Sequence, residues 1–175
     1  NQWHVGTPSN ATSGSLYISD DNGASAHYNV NNSAVVVAEK LFALGATDSL
    51  RISFDITIQG QHEDYGYWED IYDYLKVFFV DPTVSLEPTS DNYAGFADYS
   101  NGEGVIFGNP NGDYFIAMEN GTVNKSVTIE NYPNEYRKLV FVWVNNAWSG
   151  QQPPAIIDNV MIEPVGEEIT CVKPV

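Results

Sequence analysis

Asp158 lies in the last apolar segment of the chain, where a carboxylate could bind a metal ion. The segment, residues 155–162, reads Ala-Ile-Ile-Asp-Asn-Val-Met-Ile. Unbroken strand alternation places Asp158 on the same face as Ile156, Val160 and Ile162. A carboxylate on an apolar face is costly unless it is hydrogen-bonded, ion-paired or metal-bound. Two readings follow: Asp158 is a calcium ligand, since calcium prefers carboxylate oxygens, or it caps a turn or accepts backbone N–H bonds at a sheet end.

Residues 59–73 are dense in aromatic and acidic side chains. Tyrosine and tryptophan on a loop offer stiff apolar area with a polar edge, which suits contacts with sugars or proteins. The alternative is a loop that packs its own rings over a sheet edge. Three side chains of this segment are predicted to contact a ligand: Tyr65, Tyr67 and Trp68.

Trp148 is a second candidate for ligand contact. It lies in the polar stretch of residues 145–150, which is typical of an exposed turn. Trp143, by contrast, lies inside an apolar segment and is predicted to belong to the core.

The sequence offers few groups for catalysis. It contains three histidines, and it has no Gly-x-Ser-x-Gly, His-Glu-x-x-His or phosphate-binding glycine motif. Carboxylate pairs for glycoside hydrolysis are available among 23 Asp+Glu, but such abundance is weak support for a hydrolase. We predict no catalytic residue and no enzymatic activity.

The charge balance excludes several partners. The chain has 7 Lys+Arg against 23 Asp+Glu, a net charge of −16, although charged residues are only 17%. The acidity of the chain therefore reflects a shortage of Lys and Arg rather than an excess of charged residues. Nucleic acids and anionic membrane surfaces both require clustered Lys and Arg, so neither is expected as a partner. No apolar run reaches the ~18 residues of a membrane span. Divalent cations are the expected counter-ions of any carboxylate that needs one.

The elements that must position these side chains are predicted to be strands. Residues 50–58 alternate apolar and polar side chains without a break, as a strand with one buried face does. Asn-Gly pairs and prolines separate the short segments, and no long helical periodicity is present, so an all-β sandwich is predicted. Residues 20–23 are predicted to form a plain turn rather than a calcium loop. The other predicted strands are residues 15–19, 75–80, 105–107, 127–129, 139–144 and 155–162. Residues 33–44 are ambiguous, since residues 38–41 favour a helix and residues 35–37 favour a strand, and a strand with a bulge is the preferred reading.

Several stretches, in this order and spacing, resemble one family of secreted modules. They are residues 15–23 with His27-Tyr28, then residues 52–55, 72–77, 139–143 and 152–160. Together they resemble the cleaved-adhesin or MAM-like (choice-of-anchor type) domains of Gram-negative surface proteins, related to the adhesin domains of gingipain-type proteases. The resemblance covers residues 3–163.

The resemblance implies a jelly-roll β-sandwich of two antiparallel sheets, galactose-binding-like, with structural calcium in several members. It supports Asp158 as a calcium ligand. Gly60-Gln61 stands where the family usually has Gly-Glu, so any role of that Glu is absent or falls to Glu63. The family's opening strand is expected to be missing or cut at Asn1.

The implied organisation is a jelly-roll adhesin-like domain over residues 1–165, followed by a linker or the start of a further domain over residues 166–175. The tail around Cys171 resembles the opening of a fibronectin type III domain. We expect a non-catalytic binding module of a secreted or cell-surface multidomain protein, which adheres to a glycan or a host surface protein and carries structural calcium. The alternatives are a structural spacer without a ligand and, less favoured, a glycoside hydrolase.

Overall fold

The computed structural model describes residues 1–64, 69–84, 107, 116–133 and 136–165, without the side chains of residues 46–47, 62–71 and 130–133. Within these ranges the chain forms nine strands and no helix. No helix in this part of the chain is long and apolar enough to cross a membrane. The strands are β1 Gln2–Gly6, β2 Ser15–Ser19, β3 Ala34–Ala43, β4 Ala46–Thr57, β5 Gln61–Asp64, β6 Glu69–Val80, β7 Thr122–Pro133, β8 Tyr136–Asn145 and β9 Ile156–Pro164.

Two antiparallel sheets pack face to face. The first has the strand order β1-β2-β9-β4-β7 and the second has the order β3-β8-β6-β5. Ile116 forms a bridge to Leu75 of β6, which pairs with β8 on its other side. Consecutive strands alternate between the sheets from β2 to β5 and again from β6 to β9, as they do in a jelly roll, whereas β1 pairs with β2 and β5 with β6 within one sheet. The predicted all-β sandwich is confirmed.

The main core lies between the sheets. In β4 the even-numbered side chains from Leu50 to Ile56 point inward and are buried, so the alternation predicted for this strand is confirmed. Trp143 of β8 is fully buried, as predicted, and its ring meets the ring of Tyr28 edge to face at a centroid distance of 5.2 Å.

A second apolar cluster lies on the other face of the four-stranded sheet. Its buried members alternate with the main core residues along β6 and β8, which explains why both segments are almost continuously apolar. They are Tyr74, Phe78, Val80, Val140, Val142 and Val144. The second sheet is therefore covered on both faces.

Most predicted strands are present with somewhat different ends. β2, β6, β7 and β8 contain the predicted segments, and β4 and β9 contain all but one end residue of theirs. β3 pairs with β8 in unbroken register from Ala34 to Ala43. Residues 105–106 lie outside the described residues, and Phe107 is buried in the core. No strand is predicted over residues 2–6, yet β1 pairs along its whole length with β2. Its sequence, Gln-Trp-His-Val-Gly, alternates polar and apolar side chains over only five residues. The Trp3 indole N–H donates to the Val36 carbonyl at 3.0 Å and ties β1 to the other sheet.

The predicted turn after β2 is confirmed. Asn22 and Gly23 have φ values of 59° and 86°, the left-handed region that these residue types tolerate. The carboxylate of Asp21 accepts hydrogen bonds from the Ser19 and Ser25 hydroxyls. These bonds stay within the turn and hold its shape.

Candidate functional site

An irregularity in β9 separates the face of Asp158 from that of Ile162. Asn159 has a φ of 51°, and the pairing of β9 with β4 shifts register at this level. Before the bulge, Ile157 is 1% exposed and belongs to the core, and Asp158 lies partly exposed with Ile156 on the outer face of the five-stranded sheet. Beyond the bulge, Ile162 packs against the core. The prediction that Asp158 shares a face with Ile156 therefore holds, and the prediction that it shares that face with Ile162 is wrong, because alternation holds only along an unbroken strand.

A second carboxylate lies directly opposite Asp158. Asp55 of β4 is its cross-strand partner. Asp55 Oδ1 accepts from Asn124 Nδ2 at 2.8 Å and its Oδ2 accepts from Asn159 Nδ2 at 2.7 Å. Asp158 Oδ1 accepts from the backbone N–H of Asn159 at 2.7 Å, and its Oδ2 accepts from the Ser13 hydroxyl at 2.5 Å. Each of the four carboxylate oxygens thus has a neutral donor.

These donors keep Asp55 ionised. The side-chain hydrogen bonds from Asn159 and then Asn124 hold the pKa of Asp55 below its ordinary value, because they stabilise the charged form. Asp55 is therefore a carboxylate at neutral pH.

The two carboxylates line a cavity of about 830 Å³, which we call the polar groove. Strands β4, β7 and β9 contribute Asp55, Thr57, Thr122, Ile156, Asp158 and Asn159. Ser15 of β2 also lines it, and the connections contribute Asn10, Ala11, Thr12, Ser13, Ser25, Ala26, His27, Gln152 and Pro153. Most of these residues carry a hydroxyl, amide or carboxylate group, and none of them is Lys, Arg, Phe, Tyr or Trp.

Side-chain amides fix the walls of the polar groove. Asn10 accepts from the backbone N–H of Ala26 and donates to its carbonyl, both at 2.9 Å. Gln152 donates to the carbonyl of Tyr28 at 2.9 Å and accepts from its N–H at 3.3 Å. Each amide pairs with the backbone as a neighbouring strand would. The walls are therefore preformed, which lowers the entropic cost of binding a ligand.

The predicted ligand-contacting residues do not gather at this groove. Trp148 is 72% exposed in the connection between β8 and β9 and does not line the polar groove. Its ring centroid is 6.5 Å from that of Tyr72. The remaining candidates, Tyr65, Tyr67 and Trp68, lie outside the described residues.

Sequence reasoning missed most of the site around Asp158. Asp55 was visible as an outward position of an alternating strand, but nothing in the sequence marked it as the partner of Asp158. Asn124 and Asn159 were likewise unmarked. Only the register of β4 with β7 and β9 brings these side chains together.

Two carboxylates and one hydroxyl of the site could serve as calcium ligands. Among the described residues no three His, Cys, Asp or Glu side chains converge. Calcium nevertheless also takes hydroxyl, carbonyl and water oxygens, and a carboxylate oxygen holds a second lone pair beyond one hydrogen bond. Asp55, Asp158 and the Ser13 hydroxyl would supply protein oxygens for such an ion.

Comparisons with known proteins give one structural likeness to report. The sequence matches no protein-family model and no curated protein. Among solved structures, the chain is similar to the crystal structure of the enzymatically active domain of tailspike protein 4 from bacteriophage CBA120. The identity is 12%, the TM-score is 0.40, and the match covers 93% of this chain and 18% of that one. A likeness of this size carries no inference about fold or activity.

Proposed function

We propose that the chain is a non-catalytic binding module that takes a neutral glycan into the polar groove. The lining of the groove supports this proposal most directly. Its amides, hydroxyls and carboxylates can donate to and accept from sugar hydroxyls, and no Lys or Arg is among them. A neutral polyhydroxyl ligand matches this chemistry, whereas an anionic ligand would face two carboxylates without a cation.

The pKa of Asp55 argues against this residue as a general acid. A glycosidase divides its two carboxyl groups into a protonated general acid and an ionised partner. The amide hydrogen bonds lower the pKa of Asp55, so Asp55 could serve only as the ionised partner. We propose that the groove binds without hydrolysis, and release of reducing sugar by the purified chain would contradict this proposal.

We also propose that the module belongs with the jelly-roll adhesin domains that its sequence resembles. In support, the resembling stretches coincide with β2, β4, β6, β8 and β9 of a jelly roll. In this proposal the module works in a secreted or cell-surface protein, beside neighbouring domains. It adheres to a glycan, free or on a host surface protein, and a calcium ion held by Asp158 stabilises it.

Carboxamide variants test the binding role. We would measure the affinity of the chain for a β-glucan, a xylan, a mannan and a galactan. Asp55→Asn and Asp158→Asn should each weaken the best ligand about tenfold or more, because hydrogen bonds to a charged acceptor contribute about 1.5–3 kcal/mol. Asp48→Asn is the matched control, since Asp48 is an exposed aspartate of β4 that does not line the groove.

Two results would count against the proposal. Binding that is unaffected by both groove substitutions would place the ligand elsewhere. Failure of the unaltered chain to bind any of the polysaccharides would favour the structural spacer.

A further inference from the structure

Asp73 of β6 is fully buried at one end of the sandwich. Its Oδ2 accepts the hydroxyl hydrogen bond of Tyr28 at 2.6 Å, and its Oδ1 accepts the backbone N–H of Asn146 at 2.8 Å. Burial raises the pKa of Asp73, and these two bonds oppose that effect. Burying a carboxylate is costly, and the loss of either neutral donor would leave one of its oxygens unsatisfied. The hydrogen bonds therefore hold Tyr28 and Asn146 in place.

A hydrogen-bond chain continues from Asp73 to the surface. The side chain of Asn146 is 6% exposed, and its Oδ1 accepts the backbone N–H of Trp148 at 3.0 Å. Asn146 Nδ2 is buried and has no hydrogen-bond partner within the described part of the chain. Burying an unsatisfied donor costs about 1–3 kcal/mol, so Asn146 is poorly explained by stability alone.

Neighbouring residues lock the same connection. Asn145 Nδ2 donates to the carbonyls of Asn32 at 2.6 Å and Asn146 at 2.8 Å. A Cβ atom on Gly150 would lie 1.9 Å from the Tyr28 hydroxyl and 2.5 Å from Asp73 Oδ2, so only glycine lets the backbone pass here. The β8–β9 connection is thus hydrogen-bonded to the buried carboxylate at Asn146 and passes close to it at Gly150.

This anchored connection presents an exposed indole. Trp148 is 72% exposed, although tryptophan usually buries most of its large apolar surface. The ring of Tyr72 lies beside it at a tilt of 50°. The polar groove contains no Phe, Tyr or Trp to stack on a sugar ring, and Gln152 and Pro153 of the same connection line that groove.

We propose that Trp148 is the stacking platform of a second glycan contact, separate from the polar groove, and that Asp73 and Asn146 are its positioning residues. The inference rests on the proposed glycan-binding function. The occupant is the apolar face of a neutral pyranose ring, because an indole offers flat apolar area and the acidic chain disfavours anionic sugars. The buried hydrogen bonds fix the backbone of Trp148 before the ligand arrives, which lowers the cost of ordering it.

Fluorine NMR of the chain labelled with fluorotryptophan tests the platform. The Trp148 resonance is assigned by its loss in Trp148→Phe, and the buried Trp143 serves as an internal reference. The labelled chain is titrated with the β-glucan, the xylan, the mannan and the galactan. We expect the Trp148 resonance to shift with at least one of them, in the unaltered chain and in Asp55→Asn alike.

The outcomes separate the two proposals. A Trp148 resonance that is unchanged by all of these polysaccharides overturns the platform, even where affinity depends on Asp55. If the Trp148 resonance shifts while Asp55→Asn and Asp158→Asn leave the affinities unchanged, the stacking platform is supported and glycan binding in the polar groove is overturned.

The positioning role has its own test. Asn146→Ala should broaden or shift the Trp148 resonance of the free chain and weaken polysaccharide binding about tenfold. In Asn146→Ser the serine hydroxyl can accept the same N–H, so this variant should partly restore the Trp148 resonance and the polysaccharide affinity. Asn146→Ala should cause no further loss of affinity in the Trp148→Phe background. Equal losses in both backgrounds, or no rescue by serine, would show that Asn146 does not act through Trp148.

Discussion

At the scale of single residues, Asp55 and Asp158 show how an acidic pair is tolerated in a chain with few bases. Like charges directly opposite each other across two strands destabilise a sheet. Here amide, hydroxyl and backbone donors surround both carboxylates, and no Lys or Arg lines the groove among the described residues. Neutral donors stabilise negative charge without cancelling it. The polar groove therefore remains electronegative and favours cations and hydroxyl donors.

Calcium dependence is predicted at this pair. Saturating calcium should stabilise the fold by about 2.7 kcal/mol at a hundredfold excess over its dissociation constant, about 5–10 °C in melting temperature for a chain of this size. A chelator should remove that increment, and Asp158→Ala should abolish the response while Asp48→Asn keeps it. Melting curves with and without chelator check this, and identical curves for the unaltered chain would rule out the calcium site.

Acid sensitivity is predicted at Asp55. Its folded-state pKa is lowered, so its stabilising contribution is present above the ordinary aspartate value of 3.8 and is lost as the pH falls through the folded-state pKa. Asp55→Asn should therefore lose less stability than the unaltered chain on acidification below pH about 4. Melting temperatures measured between neutral and strongly acidic pH provide the comparison, with Asp48→Asn as control. If the melting temperatures of Asp55→Asn and the unaltered chain fall in parallel with pH, the acid sensitivity does not come from protonation of Asp55.

At the scale of elements, local patterns predicted strands well and failed at one irregularity. The alternation of residues 50–58 gave both the strand and its buried face, because β4 keeps its two-residue period through the core. The same logic wrongly placed Ile162 on the face of Asp158, because the positive φ of Asn159 interrupts β9 and Ile162 packs against the core. Asparagine tolerates a positive φ, but it adopts this conformation in many structures other than bulges, so its presence in a strand does not predict a bulge. The sequence therefore contained no sufficient signal for this one.

The candidate site was less predictable than the fold for a related reason. The polar groove depends on which residues of distant strands lie side by side, and Asp55 is separated from Asp158 by more than half of the chain. Composition indicated that carboxylates would lack basic partners. It could not indicate that Asn124 and Asn159 would supply the donors, since pairing register is a property of the assembled sheet.

The bulge itself gives a prediction. Asn159→Val should destabilise the fold by about 1–3 kcal/mol, because a β-branched residue is strained at positive φ. Asn159→Gly also loses the amide bond to Asp55 but keeps the backbone conformation, so it should cost less. Denaturant unfolding of both variants measures the difference. Equal stabilities would mean that the backbone conformation at Asn159 contributes nothing.

At the scale of the whole molecule, the two outer faces of the sandwich differ. The four-stranded sheet carries an apolar cluster on its outer face in addition to its share of the main core. The five-stranded sheet presents the polar groove there instead. The whole chain carries a net charge of −16. The sandwich therefore has a polar groove on the outer face of one sheet and an apolar cluster on the outer face of the other.

This charge predicts selectivity against anionic ligands. The chain should bind an anionic polysaccharide such as polygalacturonate more weakly than its best neutral polysaccharide, because the acidic surface repels uronates. Added salt should narrow the difference by screening, with a Debye length near 10 Å at about 0.1 M. Affinities measured at low and at moderate salt test this. Stronger binding of the anionic polymer at low salt would contradict it.

Glycan binding in the polar groove is tested by backbone amide NMR of the chain titrated with an oligosaccharide of its best neutral ligand. We expect chemical-shift changes at the polar groove, at Asn10, Thr57, Thr122 and Asn159, with at most a second set around Trp148 and none along β3. Shift changes that leave the groove untouched, or no change at any concentration, would contradict it.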